Sequence, residues 1–369
     1  MEILQVQKFV ILGGLFTGCI FGFFAQRIRF CVLGAISDLV IIGNPSRASI
    51  YAVACTTGVI LTQTLILFNL IQINSSPVSK DNVIWFSSIF GGLIFGFGMS
   101  LASGCTSRAI IRVAEGDMKA VVVLMAAAAS AIMTMRGFIA PLRVNFFDQI
   151  NFSTNGHIDS ISILSKLTVF DENVRVFTIF CFTFLLFTLF LLNFYNKKKD
   201  NDELRKNLFY SILIGVAVAS GWLVTGNLGF VAEHPDTLEF AYIGTNSNSI
   251  ESLSFVGPIA YSSEILMYWT DSSKELTFGI SIIIGTFFGA SISSLQKKVY
   301  LIQGFNSSQD FFYHLVGGIF MGIGGVTAVG CSIGHGLSGM SFLSISSIIV
   351  TVSMILGTFI GLMYIQRKI

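Results

Sequence analysis

The chain has 369 residues, 53% of them hydrophobic and only 11% charged, with a net charge of +2 and a mean hydropathy of +0.77. A soluble globular chain carries about 25% charged residues, so this composition describes an integral membrane protein whose surroundings are the lipid bilayer. The small net charge excludes nucleic acid as a partner.

Nine apolar segments suit a hydrocarbon core about 30 Å thick: 9–26, 48–71, 83–101, 118–135, 174–195, 208–226, 277–295, 312–329 and 343–365. Lys8 passes at once into apolar sequence without an A-x-A site, so no cleavable signal is expected. Two further stretches are too short or too polar to cross, 30–36 (FCVLGAI) and 253–268 (LSFVGPIAYSSEILMY). They are expected to be re-entrant or half-helical pieces, which persist at membrane depth only when protein or a wet cavity covers their backbone.

Just after the first span comes RIRFCVLGAISD (Arg27–Asp38), with Cys31 behind two arginines. The third span holds GGLIFGFGMSLASGC (Gly91–Cys105), and the eighth repeats it as GGIFMGIGGVTAVGC (Gly317–Cys331). A shift of 226 residues, without a gap, places Gly91, Gly92, Gly96, Gly98, Gly104 and Cys105 on Gly317, Gly318, Gly322, Gly324, Gly330 and Cys331. This is an internal repeat. Each copy is an apolar, glycine-studded helix that breaks into a polar turn at a cysteine.

Fifteen of the 22 Lys and Arg residues fall on one side of these spans, densest in NKKKDNDELRKN (Asn196–Asn207), and seven fall on the other. The positive-inside rule makes the richer side cytoplasmic. The N-terminus is then outside and the C-terminus inside, and the loops 136–173 and 227–252 are external. Both loops are too short and polar to be catalytic domains. The helix before Cys105 runs inward and the helix before Cys331 runs outward. The expected fold is therefore an all-α bundle of about nine transmembrane helices plus short re-entrant helices, built from two inverted repeats at 1–135 and 207–369. Residues 136–206 supply the external loop, a connecting helix and the basic linker. Inverted repeats with broken helices are a transporter pattern, with substrate held near the midplane.

At SGCTSRA (Ser103–Ala109) the hydroxyls of Ser103, Thr106 and Ser107 surround Cys105, Gly104 frees the backbone, and Arg108 and Arg112 add charge. At VGCSIGHGLSG (Val329–Gly339), Gly330, Cys331 and Ser332 recur with His335 and no Arg. Amides freed where a helix restarts attract an anion. Serine would suit a hard oxyanion better than cysteine; a polarisable, uncharged thiol suits a soft sulfur atom. The proposed substrate-binding set is Cys31, Gly104, Cys105, Thr106, Arg108, Gly330, Cys331 and Ser332. Arg108 and Arg112 read equally well as cytoplasmic anchors, and His335 reads as a cap or packing residue. Cys19, Cys55 and Cys181 lie in uninterrupted apolar sequence and read as packing. The second-half counterpart of the Cys31 turn is sought near Trp222–Gly226, with Ser254–Pro258 as the opposing turn.

The FCVLGA, GGx3GxGx5GCT and GGx3GxGx5GCSxG segments resemble the motifs of the YeeE/YedE family of sulphur transport proteins, from about Gly13 to Gly361. The resemblance implies an hourglass path with one cysteine from each motif lining it, here Cys31, Cys105 and Cys331, and Cys105 at the centre. It implies import of thiosulfate or a related sulfur anion across the inner membrane. A small cytosolic sulfur-carrier protein is an implied partner.

No G-x4-G-K-[ST] motif occurs, so transport is expected to run on a gradient or on downstream consumption. No C-x-x-C or H-E-x-x-H occurs either, so neither a metal nor another cofactor is expected. The competing reading is an enzyme, a membrane thiol oxidoreductase or sulfurtransferase that uses the cysteines covalently. A passive channel is a third.

Overall fold

A computed structural model describes residues 3–71, 82–153, 176, 178–185, 201–233, 239–271 and 275–368. The first half holds α1 (Ile3–Arg27), the six-residue α2 (Val32–Ser37), α3 (Ser46–Leu67), α4 (Trp85–Leu101), α5 (Thr106–Ala114) and α6 (Met118–Met135). The second holds α7 (Asn201–Leu223), α8 (Val256–Met267), α9 (Phe278–Gln296), α10 (Ser308–Thr327) and α11 (Ile345–Gln366). The protein is an all-α integral membrane protein.

Seven stretches of the described residues are long and apolar enough to cross a bilayer. α10, at 20 residues, is long enough but falls short in hydropathy, because glycine and His314 replace larger apolar side chains. It packs between α4 and α6, so it meets protein on two sides. The fifth expected span, 174–195, lies mostly outside the described residues; 178–185 are helical. The expected short pieces at 30–36 and 253–268 correspond to α2 and α8. At 1.5 Å per residue, the 12 residues of α8 cover about 18 Å, half a bilayer.

The halves interlock crosswise. α4 lies along α11 and α6 along α10, while α1 lies along α9 and α3 along α7. Under the 226-residue shift α4 becomes α10 and α6 becomes α11, so the first two contacts are one contact with the halves exchanged. A shared end fixes one of these pairs: Asp117 caps α6 by accepting from the Lys119 amide at 2.9 Å, and Lys119 Nζ reaches Asp310 in the first turn of α10 at 2.7 Å.

α4 and α10 cross antiparallel, backbone on backbone. A β-carbon at Gly91 would meet the Ala328 amide and the Gly324 carbonyl; one at Gly317 would meet the Ala102 amide and the Gly98 carbonyl. Gly98 faces Gly317 and Met321, and Gly324 faces Gly91 and Phe95. Each contact maps onto its partner under the repeat, as in a self-complementary two-fold interface. Small residues permit this approach where helices gain nothing from excluding lipid.

Polar side chains within the helices turn back on their own backbone. Thr56, Thr57, Thr134 and Thr358 each donate to a carbonyl four residues earlier, which satisfies a hydroxyl that lipid cannot. Two small antiparallel clasps, unexpected from sequence, join the loops: Asn82–Val83 with Phe152–Ser153, and Phe230–Val231 with Ala241–Tyr242.

Candidate functional site

Cys31, Cys105 and Cys331 occupy one backbone motif, used three times. Two residues before each cysteine the chain turns left-handed, at Arg29 (φ 50°), Ser103 (φ 57°) and Val329 (φ 61°). The next amide then reaches back five residues: Phe30 to Ala25 (2.8 Å), Gly104 to Met99 (3.0 Å) and Gly330 to Gly325 (2.8 Å). This closes the helix as a Schellman turn. The cysteine follows, and a new helical piece starts with it. Cys31 Sγ accepts from the Gly34 amide at 3.5 Å and Cys331 Sγ from the Gly334 amide at 3.3 Å. Cys105 has extended backbone at the cap of α5, and its Sγ lies 3.1 Å from Ser107 Oγ. The C-x-x-G spacing of Cys31–Gly34 and Cys331–Gly334 is the sequence signal for two of these caps.

Restarted pieces are short. α5 has nine residues, and after Cys331 a single wide, π-type turn runs Gly334–Gly339. Neither spans a membrane. Both thiols are buried, with Cys105 1% and Cys331 0% exposed. Cys105 is within charge-interaction range of both Cys31 and Cys331. The expected opposing turn, Ser254–Pro258, does meet this region: the Phe255 amide faces Cys331, and a β-carbon at Gly334 would lie 3.1 Å from Ser254 Oγ. Trp222, from the other stretch expected to face this region, donates to Ser341 Oγ (3.0 Å), stands edge-on to Phe342 (4.4 Å) and lines one cavity with Ser254, Gly330 and Gly334.

The residues after the two repeat cysteines stand out. Thr106 is 0% and Ser332 3% exposed, and among the described residues neither side-chain hydroxyl has a hydrogen-bond partner. A buried, unsatisfied hydroxyl costs about 1–3 kcal/mol. The cost falls here at equivalent positions of the repeat, beside two buried thiols.

A cavity lies on either side. One, of about 380 Å³, is lined by Gly330, Gly334, His335, Tyr261, Arg143 and Glu251, among others. The other, of about 450 Å³, is lined by Ser103 with Arg29, Arg108, Arg112, Lys297 and Glu115. Neither cavity's wall includes Cys31, Cys105 or Cys331; the turns that carry them contribute Gly330 and Gly334 to the first cavity and Arg29 and Ser103 to the second. Arg108 pairs with Glu115 at 3.1 Å. Arg112 pairs with Asp117 at 2.7 Å and donates to the Ala102 carbonyl, capping α4. Arg108 therefore stands in the basic cavity, within charge-interaction range of Cys31. His335 is committed to structure: Nε2 donates to the Ala328 carbonyl (2.8 Å), and Nδ1 accepts from Ser347 Oγ (3.0 Å). The tautomer follows from the carbonyl, which can only accept.

Sequence reasoning passed over Cys55. Its thiol reaches the Gly336 carbonyl at 3.8 Å, inside the turn that follows Cys331. Nothing in its apolar surroundings signals this; the placement comes from α3 packing on the far half.

Interlocked halves and helices that break within the membrane, beside two cavities, are the architecture of a membrane transporter. The chain belongs to the sulphur transport family, whose pattern matches residues 27–360. It is 27% identical to the thiosulfate transporter TsuA of Escherichia coli over 369 residues, 97% of each chain. To the protein of that name from Spirochaeta thermophila it is 27% identical over 359 residues, 94% of this chain and 97% of the relative. A shorter likeness, 30% over 102 residues, covers 27% of this chain and 23% of the probable transporter YedE of Salmonella typhimurium.

Proposed function

We propose that this protein imports thiosulfate, or a closely related sulfur-containing anion, through a path whose narrowest part is formed by Cys31, Cys105 and Cys331. Gly104 and Gly330 let the chain turn beside the thiols, Thr106 and Ser332 offer hydroxyls, and Arg108 draws the anion toward the basic vestibule. The observation that carries this reading is the pair of buried hydroxyls on Thr106 and Ser332, left without a protein partner at equivalent positions. An anion stripped of water needs such donors. Thiols beside them suit a ligand with oxygen at one end and polarisable sulfur at the other.

The relatives' names support the substrate class, and the excess of Lys and Arg on one side supports an N-terminus outside and a C-terminus in the cytoplasm of an inner-membrane protein. The basic vestibule would then be the exit, where a small cytosolic sulfur-carrier protein could collect the product. Two repeats, 1–135 and 207–369, joined through 136–206, would supply the opposed half-sites. No covalent step is invoked, so the protein acts as a carrier rather than as a sulfurtransferase or oxidoreductase. Uptake of labelled thiosulfate into cells lacking other importers is the test. Cys105→Ala should abolish uptake at normal membrane abundance; wild-type uptake by that variant would remove Cys105 from the path.

A further inference from the structure

Beside the cysteine turns lies a polar side chain that the three motifs do not supply. Tyr51 projects from the first turns of α3. Its ring stacks on Phe30, the residue before Cys31, with centroids 5.5 Å apart and planes at 23°. A β-carbon at Gly336 would collide with its hydroxyl oxygen, so that oxygen lies against the turn after Cys331. It is also within charge-interaction range of Cys105 and Cys331. One side chain thus touches or faces all three cysteine turns.

Cys55 stands one helical turn further along α3, on the same face. The two groups differ in what they do. The Cys55 thiol is engaged with the Gly336 carbonyl, while the Tyr51 hydroxyl has no hydrogen-bond partner among the described residues. The turns it faces carry two buried, unpartnered hydroxyls, on Thr106 and Ser332, the residues after Cys105 and Cys331. Three uncharged hydroxyls at the cysteine turns match the oxygen atoms of an oxyanion rather than its sulfur.

We propose that Tyr51 is a specificity-determining residue of the transport site, its hydroxyl donating to an oxygen of the bound anion while the thiols contact the sulfur end. The stacking on Phe30 fixes the ring so that little rotational freedom is lost on binding. The assignment rests on the transport reading above and names the part of the site that recognises the sulfonate-like end of the ligand.

The decisive variant is Tyr51→Phe, which keeps the ring and its stacking and removes one oxygen atom. Thiosulfate binding to purified protein and thiosulfate uptake in proteoliposomes are measured side by side. A hydrogen bond to a charged ligand predicts about a tenfold weaker Kd and a KM raised in step, with Vmax and thermal stability near wild type. Sulfite, which keeps the oxygens, should lose its competition against thiosulfate in parallel. Unchanged Kd in a wild type that transports overturns the role of Tyr51 and leaves the transport reading standing. A fall in Vmax and stability with unchanged KM also overturns it, because that marks a structural residue. Wild-type protein that neither binds nor carries thiosulfate overturns both.

Discussion

The two repeat cysteines sit in the same turn and in opposite surroundings. After Cys105 the chain makes a nine-residue α-helix whose arginines pair with Glu115 and Asp117 and open onto a charged cavity. After Cys331 it makes one wide turn, Gly334–Gly339, that is buried throughout and contains no charge. His335 and the serines replace the ion pairs. Duplication therefore supplies the thiol, its left-handed approach and the following hydroxyl, while the supporting shell differs between copies. The thiol turn is the shared structural unit; the residues packed around it differ from one copy to the other.

The largest effect should come from destroying what brings the two turns together. Gly91→Val or Gly317→Val drives a branched side chain into the backbone of the opposite helix. Either should cost about 3 kcal/mol or more and remove most folded protein, as read by fluorescence-detected size-exclusion chromatography. Recovery of normal, monodisperse protein would show that the antiparallel seam is not tight.

Cysteine-to-serine exchange at the same turns separates capping from sulfur chemistry. Serine caps helices well, so Cys105→Ser and Cys331→Ser should melt within a few degrees of wild type in detergent. Uptake should fall at least about tenfold in each, since a harder, less polarisable atom replaces the thiol. Equal uptake would reduce the cysteines to caps.

The unlike shells predict unlike failures. His335→Ala strands the Ala328 carbonyl and Ser347 hydroxyl and should destabilise the fold by about 2 kcal/mol, seen as a lower melting temperature. Arg108→Gln removes an ion pair that is only partly buried, worth about 0–1 kcal/mol. It should leave melting unchanged while weakening uptake most at low salt, where charge attraction reaches furthest. Reversal of these two phenotypes would invert the division of labour.

The smallest effect concerns acidity at the other vestibule. Burial pushes the Glu251 carboxyl up, against hydrogen bonds from Ser247 that pull it down. A raised carboxyl takes up its proton earlier as pH falls, and the neutral form no longer repels an arriving anion. Initial uptake should rise by about two- to threefold between pH 7 and 5 by this route, and Glu251→Gln should flatten that rise. A steeper profile in the variant would contradict it.

What could be read from sequence was what repeats or runs long. The two glycine ladders, the break at each cysteine and the short length of α8 follow from spacing alone. The left-handed residues were not legible, because Arg29, Ser103 and Val329 are types that seldom signal that backbone; the tertiary crossing holds them there. Tyr51 and Cys55 were hidden for a related reason. They lie inside an ordinary apolar helix, and only the docking of α3 on the opposite half aims them at Gly336. The two-residue clasps between loops are too short to leave any periodicity.

Glycines that bring two helices to backbone contact leave few interdigitated knobs along that line. Along the α4–α10 seam main chain meets main chain at Gly91, Gly98, Gly317 and Gly324, while Phe97 packs on Phe320 and Ser87 Oγ donates to the Thr327 carbonyl. The seam is smooth at its glycines and pinned by one ring pair and one hydroxyl, so a slide of one helix along the other must first release those two contacts.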